Sequence, residues 1–172
     1  MNYHTEVQRL RSQLAAPVDP AEFEILRAQP DARVIPLSRS RHVRGWHPVR
    51  PGHRSIAFES KLEAKLITCL AQLPELESIR SQPITVHYRC AGVRGRYTPD
   101  FLVELSEVPP ELAQLGFGLR TYVEVKPLWR SIRSETMLVR KVAALRLACK
   151  CPVVLVTDWD LSPETPEVRH VA

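Results

Sequence analysis

No apolar stretch in this chain approaches the roughly 20 residues that a membrane-spanning helix requires, and no charged-then-apolar signal pattern follows Met1. Both absences point to a cytoplasmic protein. A C-x-x-C pair is missing as well. Cys69, Cys90, Cys149 and Cys151 supply only one C-x-C, with no histidine near enough in sequence to complete a zinc site. Reduced, partly buried thiols are expected. Internal repeats, low-complexity tracts and convincing linkers are also lacking. Acidic residues are absent from residues 38–55, "SRSRHVRGWHPVRPGHRS", which hold Arg39, Arg41, Arg44, Arg50, Arg54 and Trp46. Such a segment is either a solvated loop or a basic arm that tracks a phosphate backbone and releases its counterions.

What is present describes an ordinary globular chain. Its 172 residues suit one domain with a genuine core, and 44% hydrophobic with 25% charged residues is a usual balance. Lys and Arg outnumber Asp and Glu by 24 to 19, a net charge of +5 that favours polyanionic partners.

Val7, Leu10 and Leu14 predict an amphipathic helix over 4–15. Asp19 as N-cap and Pro20 at the first helical position predict a second short helix in "DPAEFEILRAQ". Residues 30–55 read as irregular. Leu62, Leu66, Leu70 and Leu73 mark a helix over 56–73, stopped by Pro74. Strands are expected within 81–92, 96–105 and 121–127, with a polar, proline-containing loop at 106–120. A long amphipathic helix over 131–150 leads to an apolar strand at 152–158. The strand–helix–strand unit over 121–158 predicts a parallel pairing by a right-handed crossover. The fold class is therefore α/β, a mixed central sheet flanked by helices. An N-terminal helical extension and basic arm (1–55) precedes the core (56–158), and a tail (159–172) follows it.

Chemistry concentrates in "YTPDFLVEL" and "TYVEVKP". Alternation puts Tyr122, Glu124 and Lys126 on one face of their strand and Val123 and Val125 on the other. Pro99 leaves Asp100 at a strand start or bulge. If the two strands are neighbours, Asp100 and Glu124 converge, and two close carboxylates repel unless a cation lies between them. A hard ion such as Mg²⁺ meets that need with one or two carboxylates plus substrate phosphate, and the Val125 carbonyl offers a further oxygen. Lys126 falls beside the attacking water, where it would stabilise growing negative charge. A third acid is Glu63 or Glu59. Ser60-x-x-Glu63 also fits a capping box, although apolar periodicity from Ile56 with Ser55 as cap favours the earlier helix start.

Taken in order and spacing, "FESKLE", "SQPITVHY", "YTPDFLVE" and "YVEVKP" resemble the amino-terminal catalytic domain of the TnsA transposon endonucleases, a branch of the PD-(D/E)XK restriction-endonuclease-like nucleases. The resemblance covers about residues 54–157. It implies a restriction-endonuclease-like core, with Glu63, Asp100, Glu124 and Lys126 as catalytic residues and Glu63, Asp100, Glu124 and Val125 around Mg²⁺, for which Mn²⁺ substitutes. It also implies cleavage of double-stranded DNA at the 5′ ends of a transposon, beside a DDE-type transposase subunit and under an AAA+ ATPase regulator. Longer members carry a further carboxy-terminal domain, whereas here the sequence ends soon after the last strand. Arg130 and Arg133 join the 38–55 arm as candidate DNA contacts. Gln82 and Pro83 match a family-typical pair, with no chemical role for Gln82 beyond orienting a neighbour. A stand-alone nuclease of the same fold and a non-catalytic DNA-binding assembly subunit are the competing readings.

Overall fold

Two prolines divide one long β-hairpin into two sheets. The computed structural model describes residues 3–30, 43–50 and 54–162. Within it, β4 (Leu76–Ser81) runs into β5 (Ile84–Cys90), and β6 (Val93–Tyr97) returns into β7 (Phe101–Leu105). β5 pairs with β6 and β4 with β7, both antiparallel. Pro83 and Pro99 lie at facing breaks, where neither can donate to a ladder. The gap is bridged by a hydrogen bond from the Gln82 N–H to the Asp100 carbonyl (2.8 Å) and by the paired Thr85 and Thr98 hydroxyls (2.6 Å). Gln82 takes a left-handed conformation (φ 46°) to make the turn.

Beyond the break, β7 pairs antiparallel with β8 (Arg120–Val125), and β8 pairs parallel with β9 (Val153–Val156). This gives a mixed four-stranded sheet in the order β4-β7-β8-β9. β1 (Phe23–Pro30) completes the other sheet in the order β1-β5-β6. A small antiparallel pair joins β2 (Gly45–His47) to β3 (Ile56–Phe58).

Alternation sorts the core by face. Phe101, Val103, Leu105, Val123, Val125, Val154 and Val156 join Leu66, Ile67 and Leu70 of α2 (Lys61–Ala71) in one cluster. Leu102 and Tyr122 point to the opposite face, where Ala144 and Leu145 of α5 (Glu135–Cys149) meet Val86, Tyr88 and Tyr97. Leu10 and Leu14 of α1 (Tyr3–Ala15) pack with Leu138, Val142 and Leu155. The result is a mixed α/β structure whose four-stranded sheet lies between helices. The four cysteines are free thiols, Cys90 buried and the others partly buried. Among the described residues, no helix is long and apolar enough to cross a membrane.

Several expected elements change. Asp19 and Pro20 do start a turn, with the Asp19 carboxylate accepting from the Ala21 N–H at 2.9 Å, but it is one turn of 3₁₀ helix (Pro20–Glu22). The predicted helix beyond it is β1, because the ladder to β5 outweighs local propensity. Residues 56–58 belong to β3, and α2 begins after Ser60. Part of the segment read as irregular is thus strand, while 31–42 and 51–53 lie outside the described residues. The loop at 106–120 carries a short helix, α3 (Pro110–Gln114). The helix expected over 131–150 is two: α4 (Leu128–Arg133) and α5, parted at Ser134, whose hydroxyl donates to the Arg130 carbonyl (2.7 Å).

Candidate active site

Three elements end at one place: the start of β7, the end of β8 and the first turn of α2. The β7–β8 ladder stops at the pair Phe101↔Val123. Val125 therefore has no ladder partner on the β7 side, and its N–H donates instead to the Asp100 carboxylate at 2.7 Å. Asp100 acts as a side-chain continuation of the sheet. In an extended strand the N–H and C=O of one residue point the same way, so the Val125 carbonyl faces the Asp100 side too.

Glu124 lies one residue away on the α5 face, where its carboxylate accepts from the Tyr97 hydroxyl at 2.8 Å. Lys141 of α5 places its ammonium 5.8 Å from the centre of the Tyr97 ring. Lys126 follows at the strand end, partly buried, its N–H held by the Val156 carbonyl (3.0 Å).

Glu63 belongs to a variant of the capping box, contrary to the favoured sequence reading, with its return bond made to the residue before the cap. The Ser60 hydroxyl accepts from the Glu63 N–H (3.1 Å) and donates to the Glu63 carboxylate (2.8 Å), whose other oxygen accepts from the Glu59 N–H (2.8 Å). Ser60 is the cap because its extended backbone directs the hydroxyl onto the first turn, and Ser55 lies upstream of β3. Glu59 precedes the helix, so the pair does not share a helix face as an i, i+4 spacing would require. Its carboxylate accepts from the Gln82 side-chain amide (3.0 Å) and pairs with Arg44 (3.1 Å). Gln82 thus orients a neighbour on two sides, with its backbone on Asp100 and its side chain on Glu59.

The acids feel one another. Burial pushes the Asp100 carboxyl well above the usual carboxylate range, and Glu124 and Glu63 push it further. Glu63 is raised by burial, against the pull of its two capping hydrogen bonds. Glu124 is raised by burial too, while the Tyr97 hydroxyl, Lys126 and Lys141 act to keep it charged. Without a cation, burial and the neighbouring acids favour the protonated form of Asp100, which has one backbone N–H acting the other way.

Among the described residues, no three His, Cys, Asp or Glu side chains form a group that could hold a metal ion. Both Glu63 oxygens are engaged at the helix start. What is left is Asp100, Glu124 and the Val125 carbonyl. Mg²⁺ fits such a set, since it is commonly held by one or two carboxylates with water and substrate phosphate completing the octahedron. Burial of Asp100 beside Glu124, which raises the carboxyl above its usual range, favours a cation here.

The candidate DNA contacts divide. Arg130 and Arg133 are exposed on α4, with the Arg130 guanidinium 5.1 Å from the ring centre of exposed Trp129, and Arg54 is also exposed. Arg44 is engaged by Glu59, and Arg50 donates to the Leu73 and Leu76 carbonyls at the end of α2 and the start of β4. Arg39 and Arg41 lie outside the described residues. Sequence reasoning missed Tyr97 and Lys141. Pairing of β6 with β5 sends Tyr97 to the α5 face, a contact that no local spacing announces. No protein-family model and no curated protein matches the chain.

Proposed function

We propose that the protein is a metal-dependent DNA endonuclease subunit of a heteromeric transposase, with a restriction-endonuclease-like core of the TnsA type, that cuts the 5′ ends of a transposon. The observation that carries this reading is the Asp100–Val125 hydrogen bond, which brings Asp100 and Glu124 to one strand end with Lys126 beside them. The resemblance supplies the partners: double-stranded DNA, a DDE-type transposase and an AAA+ ATPase regulator.

Asp100, Glu124 and the Val125 carbonyl would hold Mg²⁺ or Mn²⁺, with Glu63 joining only by giving up part of its cap. A bound divalent ion supplies Lewis-acid stabilisation to the scissile phosphate and lowers the pKa of water. The chain's own residues do the rest. Lys126 brings a cation to the face where negative charge grows during in-line attack. Tyr97 orients Glu124 and, with Lys126 and Lys141, favours its charged form against the effect of burial. Gln82 fixes the backbone of Asp100, so its carboxylate returns to the same place after each turnover. Hydrolysis would leave a 3′-hydroxyl and a 5′-phosphate.

The test combines the protein with its transposase partner, end-containing DNA and Mg²⁺. Wild type should nick the 5′ ends, and Asp100→Ala and Lys126→Ala should each lose that cleavage by at least about 100-fold, the scale on which such charge stabilisation acts. Equal nicking by all three would overturn the assignment.

A further inference from the structure

The three-stranded sheet has two unlike faces. One faces α5 and holds Val86, Tyr88, Cys90 and Tyr97. The other presents rows of charge. Arg27 pairs in register with His87, and His87 with Arg96; in the adjacent row Glu24 pairs with Arg89, and Arg89 with Arg94. Four arginines and a histidine therefore share a face with one glutamate, which is bonded to Arg89.

Strand register locks this arrangement. A Cβ on Gly95 would come within 2.4 Å of the Tyr88 ring, so Gly95 sits tightly on the α5 face and Arg94 and Arg96 must point away. Arg27, Arg94 and Arg96 are exposed, and none has an ion pair among the described residues. Like charges placed directly across a ladder destabilise a sheet. Arg89 and Arg94 are such a pair, and Arg27 and Arg96 flank His87 in the next row, so a polyanion laid on this face would offset the repulsion.

We infer that this open face of β1, β5 and β6 is a docking surface for the phosphate backbone of duplex DNA beside the strand break where Asp100 stands. The occupant is identified by charge complementarity, and its identity as DNA rests on the reading under Proposed function. β6 carries Arg94 and Arg96 on this face, and Thr98 and Asp100 follow it at the break. At about 3.4 Å per residue the six positions from Arg94 to Asp100 span about 20 Å, the length of about six nucleotides of one strand. The face thus grips the flank of the duplex on one side of the scissile phosphate.

The experiment measures anisotropy of a fluorescent duplex of about 30 base pairs in chelator-containing buffer, over a series of salt concentrations. Arg27→Gln, Arg94→Gln and Arg96→Gln are combined in one variant. A control with the same charge change carries Lys65→Gln, Arg80→Gln and Arg120→Gln. The first should bind about tenfold or more weakly near 100 mM salt, and its slope of log affinity against log salt should be shallower by about 2–3, one phosphate contact per arginine. The control should track the wild type. If both variants behave alike, the face is merely solvated and the inference is overturned. Tighter wild-type binding to duplex RNA, lost in the same variant, overturns DNA as the occupant. Binding through this face without nicking in the partner assay would remove the nuclease reading and leave the surface standing. Nicking by a wild type whose face variant binds normally would do the reverse.

Discussion

The two halves of the long hairpin handle charge in opposite ways. On the side of β4 and β7, strands are covered by helices on both faces, and the charges that enter are few, held by named hydrogen bonds and raised in pKa by burial. On the side of β5 and β6, only one face is packed, and the other carries arginines in register that water keeps charged. The same alternation of side chains serves both. Burial turns a carboxylate into a group that seeks a proton or a cation, whereas exposure leaves a guanidinium as a plain positive charge. The break at Pro83 and Pro99 is where one regime passes into the other, and Asp100 stands at that break.

The most severe way to break the contrast is to open the doubly covered half. Phe101 is 1% exposed and sits between β7, β8 and α2. Phe101→Ala should cost about 3–5 kcal/mol in urea unfolding. A loss of under about 1 kcal/mol would mean this half is less tightly packed than described.

A smaller effect tests the acid at the break. Asp100 keeps its proton in the folded protein at a pH where the unfolded chain has released it, so its contribution to stability is lost as pH rises from the ordinary carboxylate range through the raised value. Asp100→Asn preserves an acceptor for the Val125 N–H and removes that penalty. Without divalent cations it should raise Tm at pH 7 by about 2–4 °C, roughly 1 kcal/mol, with the difference vanishing near pH 3–4. Mg²⁺ should raise the Tm of wild type and not of the variant. A lower Tm for the variant at neutral pH would count against repulsion at the site.

The smallest effect lies at the far tip of the exposed half. The two-residue turn joining β5 to β6 has positive φ at both Ala91 (48°) and Gly92 (77°), the geometry that matches hairpin twist. Alanine is strained there, so Ala91→Gly should stabilise by about 0.5 kcal/mol in denaturant titration. It should leave duplex binding unchanged, since the turn adds no charge to the basic face.

Much of this was legible from local pattern. Val7, Leu10 and Leu14 define α1, and the apolar run at 152–158 yields β9 parallel to β8. Alternation in "TYVEVKP" correctly parts Glu124 from the valine face. The errors fall where a partner from elsewhere overrides local preference. β1 has helix-like start signals and is a strand because β5 is beside it. Residues 56–58 continue an apolar period but pair with β2. Glu59 and Glu63 look like neighbours on a helix, and the cap at Ser60 places them in different roles.

Sequence alone determined which residues alternate, where prolines deny a ladder its donors, and which acids and cations the strands can present. Those properties follow from the covalent chain and the two-residue period of a strand. Only tertiary structure decided that Asp100 bonds the Val125 N–H, that Tyr97 holds Glu124, and that arginines from β1, β5 and β6 stand abreast. Each of these depends on the register between strands distant in sequence, and register is chosen by the packing of whole faces.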